Sequence, residues 1–158
     1  MAWRGSTTVK DRVFAALPYL LPIISGLPFG EFLFQQFPVL SVFLIPLTPV
    51  LLIYTKIPFA GLVVFFLLFL LVVRNERIAH FIRFNTMQAI LLDILLVLCS
   101  LVLEILRPAL GTNLVTETLV NIVFLGTVAA CGYSIVKSLL GHYAEIPTLS
   151  EAVYAQVR

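Results

Sequence analysis

The chain has 158 residues, 61% of them apolar and only 11% charged, with a mean hydropathy of +1.09. A soluble domain carries roughly a quarter charged residues, so a water-soluble globule, a disordered chain and a compact soluble enzyme are all excluded, and lipid is the solvent for most of the chain. Ten basic against eight acidic residues leave a net charge of +2, too small and too scattered for a nucleic-acid footprint.

About 20 apolar residues cross a bilayer as a helix, and the charge-free windows place the predicted elements. The first crossing, 13–30, follows a basic start with Arg4, Lys10 and Arg12 against Asp11. Pro18, Pro22 and Pro28 within it predict a kinked helix; a discontinuous helix lining a cavity is the competing reading. No small-x-small cleavage site follows, so this window is expected to remain in the mature protein. In residues 32–55, Pro38, Pro46 and Pro49 each remove a backbone donor. This stretch reads as a kinked interfacial or re-entrant element packed on the bundle, because irregular backbone at membrane depth needs protein or water beside it.

The second crossing is expected over 58–74, with Pro58 at its start, the third over 85–106 and the fourth over 118–140. If 32–55 also crossed, the basic segment 74–83 would face the side opposite the basic amino terminus. The positive-inside rule therefore selects four crossings, with both termini on the cytoplasmic or stromal side. The fold class is an all-α, polytopic membrane helical bundle in a single domain.

Polar residues inside these windows are the candidate functional groups. Asn85, Gln88, Asp93, Ser100 and Glu104 fall on or beside one 100° sector of the third crossing. An acid at a helix centre costs about 2.5–3.5 kcal/mol on insertion scales, so this stripe must face the bundle interior. On the last crossing Gly126, Ala130, Ser134 and Ser138 repeat every four residues, a spacing that lets helix backbones approach. In an antiparallel pair Lys137 lies level with Gln88, and Asp93 is expected to pair with Lys137 or with the amides of Asn85 and Gln88. The stripe is either polar glue between helices or the wall of a hydrated path.

Arg74, Arg77 and Arg83 form a basic collar on the cytoplasmic side, reading as snorkelling lipid contacts, with an acidic partner as the alternative. Thr148 and Glu151 have capping-box spacing and predict a tail helix over 149–157, whose Leu149, Val153 and Val157 lay it against the membrane or a partner. Cys99 and Cys131 read as small hydrophobes. No HExxH, GxSxG, Walker or dinucleotide motif is present. His80 and His142 lack a second metal ligand at suitable spacing. Asp93 and Glu104 are about 16 Å apart along a helix, too far for one acid–base pair. No enzyme, cofactor or metal is expected.

Several runs carry a family resemblance: Ala15-Ala-Leu-Pro-Tyr-Leu-Leu-Pro22, Gly26-Leu-Pro-Phe-Gly30, Ile57-Pro-Phe-Ala-Gly61, Val72-Val-Arg-Asn75, Tyr143-Ala-Glu-Ile-Pro147 and, most specifically, Phe81-Ile-Arg-Phe-Asn-Thr-Met-Gln-Ala-Ile-Leu-Leu-Asp93. The chain thereby resembles the Tic twenty family, whose plant members are subunits of the translocon at the chloroplast inner envelope. The resemblance implies a four-helix membrane protein with both termini cytoplasmic or stromal, working in preprotein import as a channel or channel-core subunit. The partners it implies are the lipid bilayer, other membrane subunits, further copies of itself and translocating preproteins. The rival function is a structural or assembly subunit without a conducting path. The short segment before the first span fits a cyanobacterial or plastid-encoded member. Its membrane is then the plasma or thylakoid membrane of a cyanobacterium, or the inner envelope of a plastid.

Overall fold

The computed structural model describes residues 6–157, so Arg4 lies outside the described residues. Among them every regular element is a helix. The order is α1 (Val9–Gln36), α2 (Pro38–Lys56), α3 (Ala60–Val73), α4 (His80–Leu110), α5 (Leu114–Leu139) and α6 (Leu149–Gln156). Four of these, α1, α2, α4 and α5, are long and apolar enough to cross a membrane. The protein is a helical membrane bundle.

A capping box starts α1: the Thr8 hydroxyl accepts from the Asp11 amide at 3.2 Å, and the Asp11 carboxylate accepts from the Thr8 amide at 3.0 Å. Beyond it the rod alternates α-helix with 3-10 turns at Leu17–Tyr19 and Leu27–Gly30. Pro18 and Pro28 sit in the first turns of those 3-10 pieces and Pro22 near the start of the α-helical Leu20–Gly26. Their missing N–H groups fall where little is lost, so α1 stays continuous rather than breaking around a cavity.

The region 32–74 departs from the sequence expectation. Pro38–Leu47 is a ten-residue 3-10 helix that passes into α-helix at Thr48, an unusually long run for that geometry. None of α2 is buried, so it is not packed into the bundle as expected; its main contacts are with the end of α1 and with α3. Its side chains are mostly large and apolar, and its Thr48 and Thr55 hydroxyls turn back to the Leu44 and Leu52 carbonyls of their own helix rather than to a neighbour. Pro58 does not begin a helix either. It lies in a turn closed by the Ala60 amide and the Ile57 carbonyl at 3.2 Å, with Phe59 left-handed at φ 58°. Helix α3 therefore starts at Ala60; nine α-helical residues and a five-residue π-helical end make it about 21 Å long, short of a full span.

The bundle proper is α1 against α4 and α5. A Cβ on Gly26 would stand 2.8 Å from the Thr127 methyl, so only glycine lets α1 and α5 approach there. Apolar clusters follow the rods: Tyr19, Ala89, Leu92 and Cys131, then Phe29, Leu96, Leu103 and Val120. Helix α5 begins on Asn113, whose side chain accepts from the Val115 and Thr116 amides. It ends on Gly141, at φ 80°, with His142 donating to Lys137 and Gly141 to Ser138 in a Schellman arrangement.

Past that point the chain turns back. Helix α6 turns Val153 and Val157 into the bundle itself, where they are buried with Val73, Phe84, Met87 and Ile90. Thr148 makes no capping bond and is itself left-handed, at φ 69°. Ser150 closes the turn instead, accepting from the Ile146 amide at 2.7 Å. Outside, large apolar side chains such as Leu98, Ile105, Ile122 and Leu125 remain half or more exposed, a surface suited to lipid.

Candidate functional site

One end of the bundle gathers distant parts of the chain. Gly141 abuts Thr7 and Arg12. His80 meets the Tyr143 hydroxyl at 3.0 Å and the Val157 carbonyl at 3.2 Å. Just inside this end, Arg83 to Ile90 are buried all round the helix, wrapped by α1, α3, α5 and α6.

That burial encloses a polar network. Gln88 Nε2 donates to the Tyr19 hydroxyl at 3.0 Å and the Ala144 carbonyl at 2.7 Å, with the Ser134 hydroxyl at 3.4 Å. Its Oε1 accepts from Ser150 at 3.2 Å. Asn85 Oδ1 accepts from Tyr19 and from Ser138, both at 2.9 Å, while its Nδ2 donates to the Phe81 carbonyl at 2.9 Å. Two amides of α4 thus tie together α1, α5, the 140s turn and α6, with both side chains fully shielded. The network meets the rule that buried polar groups find partners.

Asp93 stands apart. It is only 7% exposed, and its Oδ1 has no partner; the Ser25 hydroxyl of α1 lies within hydrogen-bonding reach of the carboxylate. The expected pairing with Lys137, Asn85 or Gln88 does not form. The amides are taken up by Tyr19, Ala144 and the serines, and the Lys137 ammonium lies over the Tyr133 ring at 5.8 Å. The Thr86 hydroxyl, two turns from Asp93 on the same face, is also buried without a partner.

The remaining expected residues divide. Ser134 and Ser138 are buried in the network, and Ala130 is half-buried. Gly126 is exposed, and a Cβ there would meet nothing within 4 Å. The four-residue repeat therefore works only in its second half, and Gly26 supplies the close approach instead. Ser100 is half-buried and Glu104 is open on the flank of α4. Arg74 and Arg77 are exposed, but Arg83 is drawn inside, its Nε donating to the Val73 carbonyl at 2.9 Å. That carbonyl ends α3, where helices leave acceptors unfilled. Sequence reasoning missed Tyr19, Ser25 and Ser150. Tyr19 is the only side chain with a strong hydrogen-bonding group between Arg12 and Ser25, a signal that was present.

Charged residues frame the three packed rods. Arg12 and Glu31 on α1, Arg83 and Glu104 on α4, and Lys137 and Glu117 on α5 are each separated by about 30 Å at 1.5 Å per residue. In each pair the cation lies toward the end that gathers residues 7–12, 73–84 and 141–157. Asp93 lies midway between Arg83 and Glu104.

The same stretches decide the kinship. Residues 8–153 match the family described as the Tic20-like chloroplast import apparatus. The chain belongs to the Tic20-like family. A Tic20 family protein of Synechocystis is 52% identical over the whole chain and 99% of its own length. Protein TIC 20-II of Arabidopsis thaliana is 36% identical over 96% of this chain and 74% of its own. The Ycf60 Tic20 family protein of Gracilaria tenuistipitata is 34% identical over 95% of this chain and 76% of its own. The Tic20-like chain is an integral membrane protein, and its family name ties it to protein import. Those matches span the Tyr19–Asn85–Gln88 network and Asp93 alike.

Proposed function

We propose that this chain is a non-enzymatic core subunit of a membrane complex that translocates polypeptide, contributing one wall of the path rather than enclosing it. The observation that carries this is the filled centre of the bundle: the Tyr19, Asn85, Gln88, Ser134 and Ser138 side chains occupy the axis between α1, α4 and α5 and satisfy one another. A polypeptide has no place there. Asn85 and Gln88 are the glue between helices. Glu104, open on the flank of α4, and the half-buried Ser100 one turn away are the side chains presented to a partner subunit, a second copy or the translocating chain. The family description, which names an import apparatus, supports the same reading.

In this reading the basic end faces the cytoplasm or stroma, with Arg74 and Arg77 as its collar. The charged pairs, about 30 Å apart, bound the hydrocarbon layer. Helix α3 runs about 21 Å back from Val73, leaving α2 to lie along the opposite leaflet, so that α2 and α3 together make one net crossing and four result. The membrane is the plasma or thylakoid membrane in a cyanobacterium and the inner envelope in a plastid.

Bilayer recordings test the main claim. The purified chain alone is expected to be electrically silent, while the complex isolated in mild detergent conducts and loses current on Glu104→Leu. Currents from the lone chain that change on Gln88→Leu overturn it. A silent complex in which Glu104→Leu only releases subunits leaves the assembly role in its place. For topology, in a background with Cys99 and Cys131 replaced by alanine, single cysteines at Arg77 and Asn113 should label from opposite faces.

A further inference from the structure

Asp93 is the buried titratable group that the proposed function leaves unused. Its Oδ1 is shielded and has no partner, and the Ser25 hydroxyl is within hydrogen-bonding reach of the carboxyl group. The elements around it supply no cation. On α1 no charged residue stands between Arg12 and Glu31, on α5 none between Glu117 and Lys137, and α3 carries none at all. The Lys137 ammonium rests on the Tyr133 ring. Tyr19 is spent on Asn85, and the Cys131 thiol packs with Ala89 and Leu92. From α2 the Tyr54 phenol comes within electrostatic range of Asp93, while Lys56 stays exposed at the helix end.

A carboxylate so placed is a buried charge without a counter-ion, a state proteins avoid by neutralising the group. A metal ion finds too few donors: one carboxyl group and one hydroxyl, where a hard cation takes about six oxygens. Among the described residues no three acids, histidines or cysteines gather anywhere. A proton needs one oxygen and no opening wide enough for a side chain.

The two directions along α4 differ. Toward the basic end, Arg83 to Ile90 are buried all round the helix, and the Thr86 hydroxyl, two turns from Asp93, is shut in with them. Toward the other end, half-buried Ser100 stands about 10 Å on and Glu104 opens to the surface about 16 Å on, each within about 20° of the direction of Asp93. We infer that Asp93 is a proton-binding site inside the bundle, occupied as the neutral acid with its O–H donated to Ser25, and loaded and emptied along the α4 face that carries Ser100 and Glu104. The proton comes from water at that end and returns to it; the basic end is closed.

Infrared spectroscopy of the whole chain in nanodiscs tests this. Ordinary carboxyl groups are ionised at neutral pH, so the carbonyl stretch of a protonated carboxylic acid should remain there, vanish in Asp93→Asn and survive Glu104→Gln. Transfer to heavy water should shift the band. Ser100→Leu and the smaller Ser100→Val should slow that shift several-fold, and Thr86→Val should leave its rate unchanged. Matched melting temperatures confirm that the variants fold. Absence of the band in the unaltered protein, its survival in Asp93→Asn, an unslowed shift in both Ser100 variants or a slowed one in Thr86→Val each overturns the proposal.

Discussion

Two polar side chains on α4, little more than a turn apart, should respond in opposite directions to the same substitution. Gln88→Leu removes the bonds to Tyr19, Ala144 and Ser150. Buried polar contacts in membrane bundles average about 0.6 kcal/mol each, and the stranded Ala144 carbonyl and Ser150 hydroxyl add desolvation of about 1 kcal/mol apiece. The variant should lose about 2–4 kcal/mol. Asp93→Leu removes a carboxylate with one oxygen already unpartnered; it gives up the Ser25 contact but lifts a burial penalty of about 1–3 kcal/mol. Its stability should be unchanged or higher by about 1 kcal/mol. Unfolding in mixed micelles of rising dodecyl sulfate content is the assay, because there the unfolded chain hydrates both side chains. If Asp93→Leu falls by as much as Gln88→Leu, the carboxylate is held by partners as strong as those of the amides, and the separation of glue from unpaired acid is refuted.

Other substitutions probe single contacts. Gly26→Leu drives a side chain into Thr127, already 2.8 Å from a bare Cβ, and should lower stability by about 1–3 kcal/mol as overpacking does; Gly126→Leu should change it by less than about 0.5 kcal/mol. Arg83→Ala orphans the Val73 carbonyl and should cost about 1–3 kcal/mol, whereas Arg77→Ala, on an exposed side chain, stays within about 0.5 kcal/mol. Val153→Asp, placed in the cluster with Phe84 and Met87, should free the tail and speed protease cleavage between residues 142 and 148, leaving α4 and α5 intact on gels. Equal cleavage of variant and unaltered protein refutes that docking.

How much of this was legible depended on what each residue asks of its surroundings. Charge-free length located α1 and α5, and apolar length interrupted by Asp93 and Glu104 located α4, because lipid demands a long apolar run of any span. The basic ends could be sorted because arginine and lysine take a side. Hydropathy cannot assign partners, and this is where the reading of the polar stripe failed. Asn85 and Asp93 share a face in projection, but Tyr19, standing in an apolar run, and Ser150, in a segment taken for a cap, complete one and not the other. Proline was the other weak signal. In α1 each proline falls where a donor is dispensable and the rod continues; in residues 38–59 the same residue type gives a 3-10 run and a left-handed turn at Phe59, which cut the expected second span short. Arg83 was read with its neighbours because a sequence does not show that Val73 has an empty carbonyl one side chain away.

The paired belts of opposite sign have an electrical consequence. In the proposed topology Arg12, Arg83 and Lys137 at one margin and Glu31, Glu104 and Glu117 at the other, offset there by Arg107, give the molecule a net dipole along the bilayer normal. An energised membrane exerts about 2.3 kcal/mol on each elementary charge per 100 mV, and an inverted copy carries both margins against that field. In that topology voltage favours the cationic margin on the electrically negative side, an orienting force that persists after the insertion machinery has let go.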